Sequence, residues 1–291
     1  MSEYAFGIIG GSGLYEFEGL EEVETLELDT PFGKPSSPIV TGSIHDKKLA
    51  FLARHGIGHI YSPTEVNYRA NIWAFKQLGI DKIISVSAVG SLREDYAPGD
   101  IIIPDEIFDN TKDRVRSFFG NGMVVHISSA DPFCPILIKQ LLKALGGEDT
   151  RVHASGTLVT IEGPRFSTRG ESNTFRKLGF SLVGMTACPE AFLAREAEIH
   201  YATMAHVTDY DSWHETEEAV TVEMVVNTLK KNTALAQRSL VRLVDILSAD
   251  EGHTEECGCD EALKNAFITN RGYMDAAMKD KLSLLVGKYL G

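Results

Sequence analysis

The chain has 291 residues, with 28 Lys and Arg against 41 Asp and Glu, so its formal charge is −13. Hydrophobic residues make up 43% and charged residues 24%, the composition of a folded chain rather than a disordered or fibrous one. The acidic balance without clustered Lys/Arg excludes a nucleic-acid binder, and no run approaches the ~18–20 apolar residues that cross a bilayer, whereas small anions stay admissible because a few Arg and backbone N–H groups hold a phosphate locally.

The start, MSEYAFGIIGGSG, has neither a basic n-region nor a cleavage site, so a cytoplasmic enzyme is expected. Residues 5–9 read as an apolar strand running into Gly10-Gly11-Ser12-Gly13, a turn that lets a ligand approach the backbone. The Pro- and Gly-rich stretch 29–43 reads as extra antiparallel pieces. A second apolar run, 48–53, ends on Arg54-His55-Gly56. The spacing of Tyr68, Ile72 and Phe75 predicts a helix over 67–78, with Gly79 as its C-cap.

A third apolar run, 82–86, leads to Ser87-Ala88-Val89-Gly90-Ser91. Helices are expected over 135–145 and 189–197, each with Pro at an early position, and another antiparallel piece over 152–161. A fourth strand, 182–183, leads to Met185-Thr186, and a fifth, 201–207, to Thr208-Asp209-Tyr210-Asp211. Residues 221–247 carry apolar positions at helical spacing and read as a packing helix. Alternating strands and helices indicate an α/β fold, a three-layer α/β/α sandwich with a central mixed sheet. Residues 1–249 are expected to form one domain, and 250–291 a C-terminal extension on the same domain or a neighbouring subunit.

Each strand ends in small, hydroxyl-bearing or charged residues, and ligands of open α/β sheets bind at that edge. The GGSG turn is not GxGxxG, and no GxxxxGK[ST] loop occurs, so it reads either as a tight turn or as an anion site using Ser12 and its neighbouring N–H groups. Arg54-His55 reads either as a forked guanidinium offered to a phosphate with a donor-capable His beside it, or as a surface ion pair next to a satisfied loop histidine. Ser87, Ala88 and Thr186 add hydroxyl and N–H donors at other strand ends. Asp209 follows an apolar run, where burial raises a carboxyl pKa and lets it carry a proton near neutrality, while Asp211 reads equally well as a cap or turn residue. The segment 160–169 reads as a loop dense in Glu162, Arg165, Phe166, Ser167 and Arg169, the composition of a functional loop.

The strings GGSGLYEF, TPFGKPS, LARHG with His59 four residues after His55, PTEVNYRANIWAFKQLG, SAVGSLRE, PGDIIIPD, SADPFCP, GTLVTIEGPRFSTRGES, MTACPEAFLAREAEIHYATMAHVTDYDSW and EEAVTVEMV follow one another in order. Together, over residues 5–247, they resemble the methylthioadenosine phosphorylase branch of the trimeric purine nucleoside phosphorylase family. The Cys257-Gly258-Cys259 tail departs from the animal-type ending and resembles that of archaeal members from hot environments. The resemblance implies a nucleoside phosphorylase-like fold and a homotrimer, with pairing of trimers left open. It places Ser12, Arg54, His55, Ser87, Ala88 and Thr186 on phosphate. His59, Phe166 and Met185 fall at the sugar, with His126 reaching in from a neighbouring subunit, and Ser167, Asp209 and Asp211 fall at the base.

The resemblance also implies the substrate. Relatives that cleave 6-oxopurine nucleosides carry Asn where this chain has Asp209, and a carboxyl suits a 6-amino base by accepting from its amine and offering a proton to N7. Those relatives place a His near the 5′ end, where this chain has Val222 with Val225 and Val226 close by, an apolar lining for a methylthio group. The expected reaction converts 5′-methylthioadenosine and phosphate to adenine and 5-methylthioribose-1-phosphate, with phosphate as co-substrate and no cofactor. The alternatives are a purine nucleoside phosphorylase for inosine and guanosine, a methylthioinosine phosphorylase, and a non-catalytic nucleoside-binding protein.

Four cysteines, Cys134, Cys188, Cys257 and Cys259, are too few for a disulfide scaffold in this length. The close pair reads as a CxC disulfide, as a bridge to Cys134 or Cys188, or as metal ligands with His253. Two Cys and one His are too few for structural zinc, so no metal is expected.

Overall fold

A computed structural model describes residues 3–11, 19–214, 222–249 and 256–290; the side chains of 222 and 224–231 lie outside the description. The first half contains β1 (Tyr4–Gly10), β2 (Glu21–Leu26), β3 (Ile39–Ile44), β4 (Lys47–Ala53), α1 (Tyr68–Gln77), β5 (Lys82–Ser91), β6 (Ile101–Ile102), β7 (Glu106–Asn110) and α2 (Pro135–Leu145). The second half contains β8 (Val152–His153), β9 (Thr157–Ile161), α3 (Arg169–Lys177), β10 (Leu182–Gly184), α4 (Ala187–Glu196), β11 (His200–Tyr210), α5 (Val222–Ala249), α6 (Ala276–Lys281) and α7 (Ser283–Leu290).

All eleven strands join one mixed sheet. β1, β4, β5 and β11 run parallel and are buried almost throughout, which is why they read as continuous apolar runs rather than alternating ones. Helices cover the sheet: α1 packs on α4, α2 packs on α5, and α2, α4 and α5 all contact β11. This is the α/β arrangement with a central mixed sheet expected from the alternation of elements.

The sheet branches at β5. The first half of β5 pairs with β1 through Ile83, Ile84 and Ser85, while its far end pairs antiparallel with β10 through Gly90 and Ser91. β11 follows the opposite edge along its whole length. Between Ser85 and Gly90 one edge of β5 has no neighbouring strand among the described residues, which leaves a gap between the end of β1 and β10. A reversal of strand order of this kind is where α/β folds leave a crevice.

Helix boundaries follow local capping. Asn67 accepts from Ala70 N, Cys134 Sγ accepts from Leu137 N with Pro135 in the first turn, and Thr168 and Glu171 close a capping box. Gly79, at φ +75°, turns the chain after α1. α5 buries Leu235, Ala236, Leu240, Leu243 and Val244, in keeping with a packing helix. The extension buries Leu263, Met274, Leu282, Leu285 and Val286 in that same core. Glu198 holds it further, accepting from Leu263 N at 3.0 Å and the Tyr289 hydroxyl at 2.5 Å.

Several expectations are corrected. The span 152–161 is two strands, not one, because Gly156 at φ +154° breaks it and donates its N–H to Asp105 at 2.8 Å. Neither piece is antiparallel: β8 runs parallel to β6, and β9 runs parallel to β7 and β10. The loop 160–169 is shorter than expected, since β9 continues to Ile161 and α3 begins at Arg169. β11 extends past Val207, so Asp209 lies within the strand, beyond a bulge at Thr208.

Gly7 tests the packing of β1 on α1. A β-carbon there would lie 2.9 Å from the Phe75 ring. Gly7→Ala is expected to destabilise the fold by about 1–3 kcal/mol, read as a lower urea midpoint; an unchanged midpoint would show that Phe75 yields freely.

Candidate active site

The strand ends converge because β1, β4 and β5 lie side by side. Gly10 is level with Ala53, the Arg54 N–H donates to the Gly10 carbonyl at 3.0 Å, and Ile9 is level with Ser85. Arg54 is thereby aimed inward rather than at solvent, and it is only 2% exposed. Its Nε and Nη2 form a two-pronged pair with Glu190 at 2.8 and 2.9 Å. Nη2 also donates to the Ser85 hydroxyl at 2.7 Å, and Nη1 to the Val86 carbonyl at 3.3 Å on the open edge of β5. Burial works against the Arg54 charge, but the Glu190 carboxylate overrides it and holds the guanidinium above its ordinary pKa. Tyr201 donates its hydroxyl to Glu190 at 2.8 Å.

From Arg54 a chain of hydroxyls leads outward. Ser85 lies 3.3 Å from Ser87, and Ser87 lies 3.4 Å from Thr186. Thr186 precedes α4 and makes no side-chain cap bond, but the chain leaves helical geometry at Cys188, φ −105° and ψ 134°, so the regular helix starts beyond it and what Thr186 offers here is its hydroxyl. Ala88 is half-buried on the same open edge of β5. His55 accompanies this group, stacked on His59 with ring centres 4.2 Å apart. Burial first, then the Arg54 charge, push the His55 pKa down to about 4, so the ring is neutral at pH 7. Its Nδ1 donates to the Tyr61 carbonyl at 2.9 Å, which leaves Nε2 as an acceptor. The expected donor role of His55 is therefore corrected: its single N–H is committed to Tyr61.

An acidic pair sits at the far end of the open edge. Asp209 is level with Gly90, and a β-carbon on Gly90 would lie 3.1 Å from Asp209 Oδ1 and 3.1 Å from Asp211 Cβ. The Thr208 hydroxyl donates to Asp209 Oδ2 at 2.6 Å. Burial pushes the Asp209 pKa up to about 6, against the Thr208 hydrogen bond and helped by Asp211. Burial also raises Asp211, against hydrogen bonds from Ser172, the Ser212 backbone N–H and Ser167. The Asp211 N–H donates to the Ser91 carbonyl at 3.1 Å, and Trp213 Nε1 donates to the same carbonyl at 2.8 Å. Ser167 is buried, its hydroxyl is directed at the Asp211 carboxyl, and its carbonyl accepts from the Ser212 hydroxyl at 2.6 Å.

Met185, next to Thr186, is half-buried, and Phe166, next to Ser167, is 37% exposed. Met185 Sδ packs over Gly163, where a β-carbon would lie 2.6 Å away. The loop carrying Phe166 and Ser167 is clamped by Glu162 and Arg114. Glu162 accepts from Lys112 N at 2.5 Å, from Asp113 N at 3.2 Å and from the Thr64 hydroxyl. Burial opposes its charge, yet these donors hold its pKa down to about 2. Arg114 donates to the Glu162 carbonyl at 2.8 Å and the Cys188 carbonyl at 2.5 Å, joining this loop to α4.

The structure thus brings together Arg54, His55, His59, Ser87, Ala88, Met185 and Thr186 around one end of the open edge, and Ser167, Asp209 and Asp211 around the other. His126 is not among them: it is exposed, and its N–H donates to the Ala266 carbonyl at 2.8 Å. Ser12 lies outside the described residues, and so do the side chains of Val222, Val225 and Val226, whose backbone belongs to α5. Reading the sequence alone missed Glu190, Arg114 and Ser85. Glu190 had a signal, a lone acid among the apolar residues at the start of α4, but nothing local names its partner 136 positions away.

The cysteines also rearrange the expectation. Cys134, Cys257 and Cys259 meet His200, with their donor atoms all within 4.8 Å of one another, and all four cysteines are free thiols. His253 lies outside the described residues. Cys188, buried at the start of α4, stands apart from this cluster; burial pushes its thiol up to about 12, which makes it unreactive.

Residues 5–245 match the family model described as the phosphorylase superfamily. An S-methyl-5′-thioadenosine phosphorylase of Koribacter versatilis is 49% identical over 285 residues, 98% of this chain and 96% of its own. That of Chloroflexus aurantiacus is 50% identical over 290 residues, 99% of each chain. Among solved structures, a methylthioadenosine phosphorylase from an antarctic soil metagenomic library superposes with a TM-score of 0.91 at 44% identity, covering 97% of this chain and 98% of its own. The Schistosoma mansoni methylthioadenosine phosphorylase in complex with adenine superposes with a TM-score of 0.81 at 35% identity, covering 98% of each chain. The chain belongs to the phosphorylase superfamily, in its S-methyl-5′-thioadenosine phosphorylase branch.

The Arg54–Glu190 pair makes a direct test. Both groups are buried, so removing the carboxylate strands a cation in the interior. Glu190→Ala is expected to cost about 3–5 kcal/mol of unfolding free energy, measured by denaturant titration. A loss below about 1 kcal/mol would mean that the pair behaves as a surface ion pair.

Proposed function

We propose that this enzyme cleaves 5′-methylthioadenosine with inorganic phosphate, releasing adenine and 5-methylthioribose-1-phosphate for purine and methionine salvage. The observation that carries this reading is the placement of a fixed cation and a protonatable carboxyl at the two ends of one open strand edge. Ser87 and Gly90 are about 10 Å apart along an extended strand, room for a pentose and an imidazole ring between a phosphate and an acid.

At the phosphate end, Arg54 supplies a permanent positive charge, and Ser87, Thr186, the Ala88 backbone and the Ser12 turn supply donors. Neutral His55 accepts from a protonated phosphate oxygen through Nε2. Phosphate held there places negative charge beneath C1′ as the glycosidic bond stretches and the sugar takes on oxocarbenium character. At the base end, Asp209 carries a proton at a pKa of about 6 and gives it to N7, so that adenine leaves as a neutral base. The same carboxyl accepts from the 6-amino group, with Asp211 and Ser167 completing the base contacts. Phosphate oxygen then bonds to C1′. The rate gain is positional and electrostatic, and phosphate is itself the nucleophile, so no cofactor enters the scheme.

Met185, Phe166 and His59 line the sugar, and Val222, Val225 and Val226 on α5 receive the methylthio group. An apolar lining rejects a hydroxyl only by about 10²-fold, so adenosine is a slow substrate. The exposed His126 completes a neighbouring copy's sugar site in a homotrimer. The chain reads as one folded domain through residue 249 with an extension packed on it. No helix among the described residues is long and apolar enough to cross a membrane, and unpaired cysteines fit a reducing cytoplasm.

The substrate profile with phosphate present tests the assignment: adenine from methylthioadenosine is expected to dominate, and hypoxanthine from inosine would overturn it if it were released efficiently instead. Asp209→Asn is expected to lower turnover of 6-aminopurine nucleosides by about 10²-fold or more, with a smaller loss on 6-oxopurine nucleosides. Equal losses would remove the carboxyl from base choice.

The pH dependence follows from the raised Asp209 pKa. The protonated form is the competent one, so the ratio of wild-type to Asp209→Asn kcat/KM, which cancels the titration of phosphate itself, falls as pH rises through about 6. A ratio that rises over this range would assign Asp209 the role of a base.

A further inference from the structure

We propose that Cys134, His200, Cys257 and Cys259 form a closed Cys3His site for a divalent metal ion, zinc by its donor chemistry, that clamps the C-terminal extension to the core. All four donor atoms lie within 4.8 Å of one another, and His200 Nδ1 is 3.4 Å from Cys134 Sγ and 3.2 Å from Cys257 Sγ. Tetrahedral zinc, with bonds of about 2.3 Å to sulfur and 2.0–2.1 Å to nitrogen, sets S···S edges of about 3.8 Å and S···N edges of about 3.5 Å. The cluster therefore needs only small shifts to close around an ion. A disulfide uses two of the three thiols and leaves the third beside an imidazole, whereas one tetrahedral ion uses all four donors.

The fold holds these donors from opposite sides. Cys134 caps α2, accepts from Leu137 N at 3.5 Å through Sγ, and donates its own N–H to the Tyr201 carbonyl at 2.8 Å, beside His200 at the start of β11. Cys257 and Cys259 come from the extension, separated by Gly258 at φ +65°, a left-handed turn that a side chain would strain. Three thiolates around a divalent ion leave one net negative charge. Arg195 at the end of α4 donates to Cys259 Sγ at 3.1 Å and neutralises it, as outer-shell groups do at metal sites. Cys134 and Cys259 are buried and the other two are half-buried, so the site offers no open position and is structural rather than catalytic.

Its reach extends to the surface that carries His126. The extension holds residues 124–126 by His126 N to the Ala266 carbonyl at 2.8 Å and Val124 N to the Thr269 hydroxyl at 2.8 Å. Loss of the ion therefore loosens the extension first and this segment with it.

The test is elemental analysis of the full chain purified under reductant and dialysed: about one zinc per chain is expected. Cys257→Ser/Cys259→Ser loses the zinc, and Cys188→Ser keeps it. Removal of the metal by a chelator lowers the thermal midpoint of the wild-type chain. Cobalt loading of that wild-type chain gives an independent readout if the double variant fails to fold. Intense thiolate-to-cobalt charge-transfer absorption with tetrahedral d–d bands supports the site. A reduced chain that retains neither zinc nor cobalt after dialysis overturns it, as does a Cys257–Cys259 disulfide in protein isolated without exposure to air.

Discussion

The buried Arg54–Glu190 pair is the constraint on which the site depends. It joins the end of β4 to α4, and through Ser85, Ile9 and Tyr201 it reaches β5, β1 and β11 as well. A guanidinium with this little exposure is tolerable only because its bonds to a carboxylate, a hydroxyl and two carbonyls replace the lost water. Those same bonds fix its direction, so the cation stands in one place before any anion arrives. Preorganised charge in a dry environment is worth far more to a reaction than the same charge on the surface. One interaction therefore serves the packing of five elements and fixes the cation at one end of the open edge.

The opposite end is built by irregularity rather than by an ion pair. β5 changes partner between Ser85 and Gly90, and β11 is bulged at Thr208 where it passes this gap. The bulge re-aims the chain so that Asp209 lies over Gly90, where the absence of a β-carbon lets the carboxyl approach the strand. Placed there, the carboxyl loses solvent and gains a like-charged neighbour, and both effects favour its protonated form. A fixed cation and a retained proton on a single strand edge are what a phosphorolytic reaction on a purine nucleoside requires. Farther out, the core accepts the C-terminal extension, whose cysteines meet Cys134 and His200 on the side of the sheet where α2 begins.

Much of this was legible before folding. The apolar runs at 48–53, 82–86 and 201–207 are strands because they are buried on both faces, and period and length sufficed to read them. Pro135 and Gly79 marked helix boundaries correctly because capping depends on residues close in sequence. Arg54, Ser87, Thr186 and Asp209 could be singled out because polar side chains at the ends of apolar strands are unusual. The span 152–161 was misread because a glycine break and parallel pairing are decided by distant neighbours, as Asp105 and Tyr96 show. His55 was read as a donor, yet its Nδ1–H donates to the carbonyl of Tyr61, a contact set by the loop's path.

By itself, the sequence determined the α/β class, the long apolar strands and the capped helices between them, and the residue types at the strand ends, but not β2, β6, β7 or α3. These follow from hydrophobic period, capping and turn chemistry, which act over a few residues. Only the tertiary structure decided that Glu190 neutralises Arg54, that Asp209 stands over Gly90, and that Cys134 and His200 join Cys257 and Cys259. Charge, desolvation and ligand geometry depend on what stands within a few ångströms. For these groups the neighbours come from positions 57 to 136 residues away, where no local pattern records them.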